Sequence, residues 1–369
     1  MRALPRTLQT APTRSQSLSA ATRALILCCL LAAASCDGER DAPTPSPAPS
    51  STTAQELSAR ELLDASEAVE KFLNAGRTNE ALLVVRKLLE RTPEGSASAS
   101  SVHELAARVC FARARLRDET LDASQRQVLL QDAAQHARKS LTLNGKIDES
   151  VKDGAKFAFA ALLISQAGES AEAAAYFDRA LELLPNHPST LLNATLTAIS
   201  AGDLVRAKSL LAQRRLAAPS DPWNDGLEAE IAIAQGEASG AVTAARRAVT
   251  ADGETLEFRL LLARALRKNQ KPADAARLLS ALEPDARAKP AIAAQYALAL
   301  SESQDLRGAA NAWDHALRAN PADVLVRAET ALAFHRAGDD TRAAAELEAL
   351  VLMPGGAKER ARLDTVWLR

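Results

Sequence analysis

The chain has 369 residues and a formal net charge of −1, because 45 Lys and Arg residues stand against 46 Asp and Glu residues. A balance this close to neutral excludes the strongly basic surface that is typical of nucleic-acid-binding proteins. Hydrophobic residues make up 47% of the chain and aromatic residues only 3%. The core must therefore consist mainly of alanine, leucine and valine.

Residues 1–35 have the composition of a signal peptide. Several arginines precede an apolar run at 24–34, which is too short to cross a bilayer. The letters Ala-Ala-Ser-Cys at 33–36 resemble a bacterial lipobox. That resemblance implies cleavage before Cys36 and attachment of lipid to its sulfur and its new amine. An ordinary secretory signal without lipid is the alternative.

Residues 36–55 form a stretch rich in proline, serine, threonine and alanine. Such a composition cannot bury enough apolar surface to fold, so we predict a disordered tether. In an extended form it would reach roughly 60 Å at most. Asp37, directly after the cysteine, matches the rule for inner-membrane retention in enteric bacteria. Cys110 is the one cysteine outside the predicted signal peptide and the lipid-attachment position. Its apolar helical surroundings predict that it packs as a small buried hydrophobic residue.

The next two segments predict helix pairs. Ser58 and Glu61 form a capping-box pattern at the start of the segment 56–95, which has the spacing of one regular helix–turn–helix unit. The segment 96–153 predicts a degenerate unit with an insertion. Its two helices are expected at about 102–117 and 124–143, from the apolar periodicity.

Residues 154–357 contain six units of 34 residues without insertion or deletion. Each unit predicts two antiparallel helices, since a fixed period of this length is typical of helix–turn–helix arrays. Within the first unit, Gly168 is expected to end one helix in the left-handed conformation, and Pro185 to stop the next. One alanine recurs at the same place in every unit: Ala173, Ala207, Ala241, Ala275, Ala309 and Ala343.

The small, apolar, glycine and proline positions of the unit resemble those of the tetratricopeptide repeat (TPR). Glutamine replaces the glycine at 270 and 304, and Arg214 occupies a position that is small or apolar in the other units. The resemblance implies an all-α fold, an α–α superhelix of about seven regular repeats and one degenerate repeat. Residues 358–369 predict an amphipathic C-terminal helix that caps the last repeat, with Leu363, Val366 and Trp367 on one face.

No motif in the sequence predicts catalysis. The five histidines occur in no HExxH or Cys/His metal spacing, and the glycines follow the repeat period rather than a phosphate-binding loop. We therefore expect no catalytic residue, no cofactor, no metal and no small-molecule substrate. His335 is interpreted as a solvated groove residue.

The first helices of such arrays line a concave face, and this face is the expected binding groove for a protein partner. Three cations on one helical turn would suit an acidic or C-terminal segment of that partner. An ordinary charged surface is the alternative. The candidate groove residues are Trp223, Glu230, Arg264, Arg267, Lys268, His335 and Arg336.

These features together favour a scaffold tethered by lipid in the bacterial cell envelope, on the inner or outer membrane and facing the periplasm. It would recruit protein partners during assembly or secretion of envelope structures, and it would not bind nucleic acid. In architecture it resembles the pilotin-like TPR lipoproteins of type IV pilus assembly. The alternatives are a rigid spacer subunit of a polysaccharide export complex, a soluble secreted TPR protein, and a cytosolic protein whose first residues are no signal.

Overall fold

The computed structural model describes residues 57–367 apart from 94, 97, 117–120, 122, 144–145 and 149. The predicted signal peptide, the lipid-attachment residue Cys36 and the tether 36–55 lie outside the described residues. Within them the fold is an all-α helical repeat, as the sequence predicts. The helices form eight consecutive pairs and one terminal helix.

The first helices of the eight pairs are α1 (Ala59–Asn74), α3 (Ala99–Arg115), α5 (Gly154–Gln166), α7 (Pro188–Ala201), α9 (Trp223–Gln235), α11 (Leu256–Lys268), α14 (Pro290–Glu302) and α16 (Val324–Arg336). The second helices are α2 (Thr78–Arg91), α4 (Ala123–Leu141), α6 (Ser170–Leu183), α8 (Leu204–Ala217), α10 (Ala238–Ala251), α12 (Pro272–Ser280), α15 (Leu306–Ala319) and α17 (Asp340–Val351). A short helix, α13 (Pro284–Arg287), follows α12, and α18 (Gly356–Trp367) ends the array.

The recurrent alanine explains how closely the helices of one pair approach. All six copies are at most 2% exposed, so each lies at a point of helix–helix contact. A larger side chain at such a point would overpack the interface, at a cost of about 1–3 kcal/mol. The core is therefore distributed along the array as a series of clusters between first and second helices.

The first and second helices of the array differ in how closely they pack on their counterparts. Several successive first helices pack directly on each other, as in α7 with α9 and α9 with α11, whereas successive second helices of the described residues pack less closely. Ion pairs still join some second helices, such as Arg206 of α8 with Asp178 of α6 at 2.6 Å. A stack that is packed more closely on one side curves toward that side, so the first helices line the inner face.

The turns within the pairs show why glycine recurs. Gly202, Gly236 and Gly338 follow first helices with φ of 79°, 80° and 78°, the left-handed conformation that closes a helix. Gln270 and Gln304 occupy the equivalent places and adopt φ of 57° and 66° without glycine's freedom. The repeat therefore imposes this turn even where the side chain disfavours it.

Two regions depart from the regular pattern. In the degenerate unit, α3 and α4 begin slightly earlier than predicted, and a two-residue antiparallel ladder between Thr142–Leu143 and Lys146–Ile147 follows α4. In the unit 256–289 the second helix stops at Ser280, and α13 follows after a break. Pro284 accounts for the break, because proline disfavours a helical residue before it and suits the first position of a new helix.

Both ends of the described chain are capped. Ser58 caps α1 by accepting from the Glu61 N–H at 3.2 Å, and Glu61 accepts from the Ser58 N–H at 2.9 Å, so the predicted capping box is confirmed. Leu57, directly before it, is 6% exposed. At the other end Leu363 is buried and Arg362 donates to Glu329 at 2.7 Å, which docks α18 on α16. The Trp367 side chain lies outside the described residues.

Candidate binding face and family

All seven candidate groove residues lie on three of the first helices. Helix α9 holds Trp223 and Glu230, α11 holds three cations, and α16 holds His335 and Arg336. The three cations of α11 differ in whether they are hydrogen-bonded within the array or exposed to solvent. The two arginines are engaged within the array, and the lysine projects from it.

Arg264 and Glu230 form an ion pair between neighbouring repeats. Arg264 Nη1 lies 2.7 Å from Glu230 Oε1, and the two side chains are only 15% and 13% exposed. They occupy the same place in units that are 34 residues apart. Because both charges are largely shielded from water and satisfied by each other, this pair joins α9 to α11.

Arg267 is also held inside the array. It donates from Nη1 to Gln295 Oε1 at 2.6 Å and from Nε to Glu302 Oε2 at 2.9 Å, and both acceptors lie on the next first helix, α14. Its side chain is 17% exposed. Together the two arginines connect three successive first helices by charge-assisted hydrogen bonds.

Lys268 and Arg336 are two candidate groove residues whose charges are open to solvent. Both are exposed, and neither forms an ion pair with any residue in the described ranges. Each is the last residue of its first helix, α11 or α16, so they occupy equivalent places two units apart. Glu302 holds this place in the intervening unit and is neutralised by Arg267.

His335 is half-buried rather than fully solvated. Its Nδ1 lies 2.7 Å from Asp340 Oδ1, at the start of the second helix of the same pair. This contact bridges the turn between α16 and α17. His335 therefore supports the geometry of the turn from which Arg336 projects.

Trp223 packs against the next unit instead of standing open in the groove. Its ring centroid lies 4.9 Å from that of Phe258, which is only 1% exposed, at an interplanar angle of 60°. Gly226 makes room for this pair. A Cβ added there would come within 3.0 Å of the Phe258 ring. The aromatic pair thus joins α9 to α11 beside the Arg264–Glu230 ion pair.

Two polar clusters were missed by the sequence analysis. Arg214 is buried and bound by three acceptors at the junction of α7, α8 and α9. His103 and His136 meet across α3 and α4, with 3.0 Å between their Nδ1 atoms. Both clusters leave a signal in the sequence. Asp221 and Asn224 lie close to Arg214 along the chain, and the two histidines are 33 positions apart, which is close to the length of one repeat.

Three further features of the described residues concern the cysteine, metal-binding clusters and membrane-spanning helices. Cys110 is buried, as predicted, and burial raises the pKa of its thiol to about 11. No cluster of three or more His, Cys, Asp or Glu side chains suited to a metal ion occurs among the described residues. Within those same residues, none of the helices combines the length and apolar character needed to cross a bilayer.

A family model for the tetratricopeptide repeat matches residues 227–291 and 296–358. The chain therefore contains tetratricopeptide repeats. The two matched segments cover α9 to α17, and with them most of the candidate binding face. Arrays of this kind are generally non-catalytic scaffolds that bind protein partners along the face of their first helices.

Solved structures agree with this TPR fold. A tetratricopeptide repeat protein from Parabacteroides merdae matches with a TM-score of 0.57 and 13% identity, over 75% of this chain and all of that one. Yeast Tom70 matches with a TM-score of 0.55 and 15% identity, over 85% of this chain and 65% of its own. A search of curated proteins returns no match. At these identities the likeness concerns the fold.

Proposed function

We propose that this TPR protein is a lipid-anchored scaffold of the bacterial cell envelope, which holds a protein partner along its inner face. The lipobox-like residues at 33–36 and the Pro/Ser/Thr-rich segment after them support the anchor. A lipid on Cys36 and a tether of this composition would keep the repeat array close to a membrane and leave it free to reorient.

The pair of solvent-facing cations, Lys268 and Arg336, is the observation that carries the binding proposal. The neighbouring Arg264 and Arg267 are satisfied within the array, so their role is to fix the spacing of the first helices. A partner then meets two positive charges at equivalent places two units apart. We infer that it brings acidic groups to both of them.

The spacing of the two cations limits the form of the bound segment. Packed helices lie about 8–10 Å apart, so two steps along the inner face amount to roughly 20 Å. An extended peptide covers that distance with about six residues. Leu298 and Leu325 are 40% and 43% exposed on the first helices of the last two regular units. They offer apolar contact to the partner's intervening side chains.

Crosslinking in the native envelope tests the binding face. A photoreactive amino acid replaces Leu298 on the inner face, and the matched control replaces Val205 on the outer second helix α8, where it is 83% exposed. We expect one crosslinked product from position 298 and none from 205. Lys268→Ala with Arg336→Ala should abolish that product, while Lys208→Ala with Arg246→Ala, an equal loss of exposed charge on α8 and α10, should not.

Three other outcomes would each contradict a different part of the proposal. Equal crosslinking at 298 and 205 would refute the inner face as the binding face. Crosslinking that survives Lys268→Ala with Arg336→Ala would refute the role of the two cations. Absence of any crosslink in the envelope would favour the spacer hypothesis over the scaffold.

Intact mass spectrometry tests the anchor. Protein extracted from membranes is compared with the Cys36→Ser variant. The proposal requires a mass equal to that of a triacylated chain beginning at Cys36, and its loss in the variant. A processed chain without lipid would instead indicate a soluble secreted protein, and an uncleaved chain would contradict the envelope location.

A further inference from the structure

His103 and His136 contact each other outside the candidate binding face, and the proposed binding function gives this contact no role. His103 lies on α3 and His136 on α4, in the degenerate unit far from the matched repeats. Their Nδ1 atoms are 3.0 Å apart, the ring centroids are 5.1 Å apart, and the rings are inclined by 28°. Both side chains are half-buried, so the pair is shielded but reachable from solvent.

The chemistry of this contact requires an unprotonated imidazole. One Nδ1 must donate a proton and the other must accept it through its lone pair, because two imidazolium rings would present two donors to each other. Two nitrogen ligands are thus held at one point and share one proton.

We propose that His103 and His136 bind one divalent transition-metal ion, which takes the place of the shared proton. Metal–imidazole bonds of about 2.0–2.1 Å hold two ligating nitrogens about 2.9–3.4 Å apart at angles between about 90° and 110°. The observed separation of 3.0 Å lies in that range. A small reorientation of the two rings therefore creates the site without moving α3 or α4.

The surroundings determine which ions fit. Glu104, next to His103, is paired with Lys156 at 2.7 Å, so the ligands that the described residues bring together here are the two imidazole nitrogens. Imidazole ligands suit Cu(II), Ni(II) and Zn(II), whereas Mg²⁺ and Ca²⁺ prefer oxygen. Water completes the coordination. With two protein ligands the ion is exchangeable, and its effect is to tie α3 to α4.

Titration of the untagged full-length chain with metal salts tests the site. After treatment with a chelator, the protein is titrated with copper, nickel, zinc and magnesium chloride at neutral pH, by calorimetry and by thermal unfolding. We expect one equivalent of Cu(II) to bind most tightly, Ni(II) and Zn(II) more weakly, and Mg²⁺ not at all. The unfolding temperature rises with the concentration of each ion that binds, since the ion stabilises the folded state by mass action.

Variants locate the ion. His103→Gln and His136→Gln should each abolish binding and the thermal shift, while His315→Gln, which removes an exposed histidine hydrogen-bonded to the Pro284 carbonyl, should change neither. Binding that persists in both single variants refutes the site, and so does an unaltered unfolding temperature in the wild type. If a variant is misfolded by circular dichroism, imidazole ¹⁵N NMR of the wild type decides. Zn(II) must then shift the Nδ1 resonances of His103 and His136 and leave those of the other three histidines in place.

Discussion

Arg214 Nη2 lies 2.5 Å from Asp221 Oδ2, although the arginine side chain is only 2% exposed. The same guanidinium donates to Asn224 Oδ1 at 2.6 Å and to the Pro188 carbonyl at 3.3 Å. Burial of a charge is costly unless it is paired and hydrogen-bonded, and here both conditions hold. The equivalent positions of three other units hold a completely buried alanine: Ala180, Ala248 and Ala316.

We predict that Arg214→Ala destabilises the array, even though alanine serves at this place elsewhere. The substitution leaves a void and deprives the buried Asn224 oxygen of its donor, which together cost about 2–4 kcal/mol. Urea unfolding measures the loss, and hydrogen exchange should locate it in α7, α8 and α9. Arg215→Ala is the matched control. Its side chain is 46% exposed and its ion pair with Glu228 is worth at most about 1 kcal/mol. Equal effects of the two substitutions would contradict the structural role of Arg214.

Gln270→Gly and Gln304→Gly should stabilise the protein. Both glutamines adopt a left-handed conformation that costs a residue with a Cβ about 1–2 kcal/mol and glycine almost nothing. We expect each substitution to raise the free energy of unfolding by about 1 kcal/mol, measured by thermal and urea unfolding. The reverse substitution, Gly202→Gln, should lower it by a similar amount. A destabilising effect of Gln270→Gly would show that the side chain contributes more than the turn does.

Gly226→Ala and Gly240→Ala should have opposite effects, although both replace glycine within a helix. Alanine favours a helix over glycine by about 1 kcal/mol at both positions. At Gly226 the new Cβ would press on the buried Phe258 ring at 3.0 Å, and overpacking of about 1–3 kcal/mol outweighs that gain. At Gly240 the nearest atom is 4.0 Å away. Urea unfolding measures both changes, and only Gly226→Ala should alter the fluorescence of Trp223. Stabilisation by both substitutions would mean that α11 shifts enough to accommodate the extra methyl group without overpacking.

The capping box at Ser58 makes a prediction about pH. The Ser58 N–H, the Ser58 hydroxyl and Arg91 lower the pKa of Glu61 to about 2, from 4.5 in the absence of these contacts. The folded state therefore keeps this carboxylate ionised, and its contribution to stability is present above about pH 4.5 and is lost as the pH falls toward 2. Ser58→Ala should raise the pKa of Glu61, as followed by NMR titration. The pKa of Glu80, lowered by Arg77, should stay unchanged and serves as the internal control. An unchanged pKa of Glu61 would mean that the backbone N–H at position 58 and Arg91 set it without the hydroxyl.

The repeat period made the fold predictable. Six units of equal length specify where each helix pair begins, and the buried alanines then specify how the pairs pack. The sequence analysis did not predict the break after Ser280, because it treated the unit 256–289 as regular and left Pro284 out of account. The ladder at 142–147 lies in the degenerate unit, where no neighbouring copy provides a template.

The sequence predicted the helices of the candidate residues but not their contacts. Position within the unit predicts that Arg264, Arg267 and Lys268 lie on one first helix, and all three lie on α11. Which of them is available depends on acceptors contributed by neighbouring units, namely Glu230, Gln295 and Glu302. A residue's position in one repeat does not specify these contacts, since they arise only when the repeats are stacked. The same reason applies to Trp223, whose ring is covered by Phe258 of the following unit.

The contacts between successive first helices give the array a mechanical property. Because successive second helices pack less closely than successive first helices and meet through long side chains such as Arg206 with Asp178, a change of curvature turns each unit about the line of inner contacts and spreads the outer side. The length of the inner line changes little in this motion. A segment stretched between Lys268 and Arg336 would therefore keep its extension while the outer surface lengthens or shortens. The array could therefore bend under a lateral force while its contacts with the bound segment stay intact.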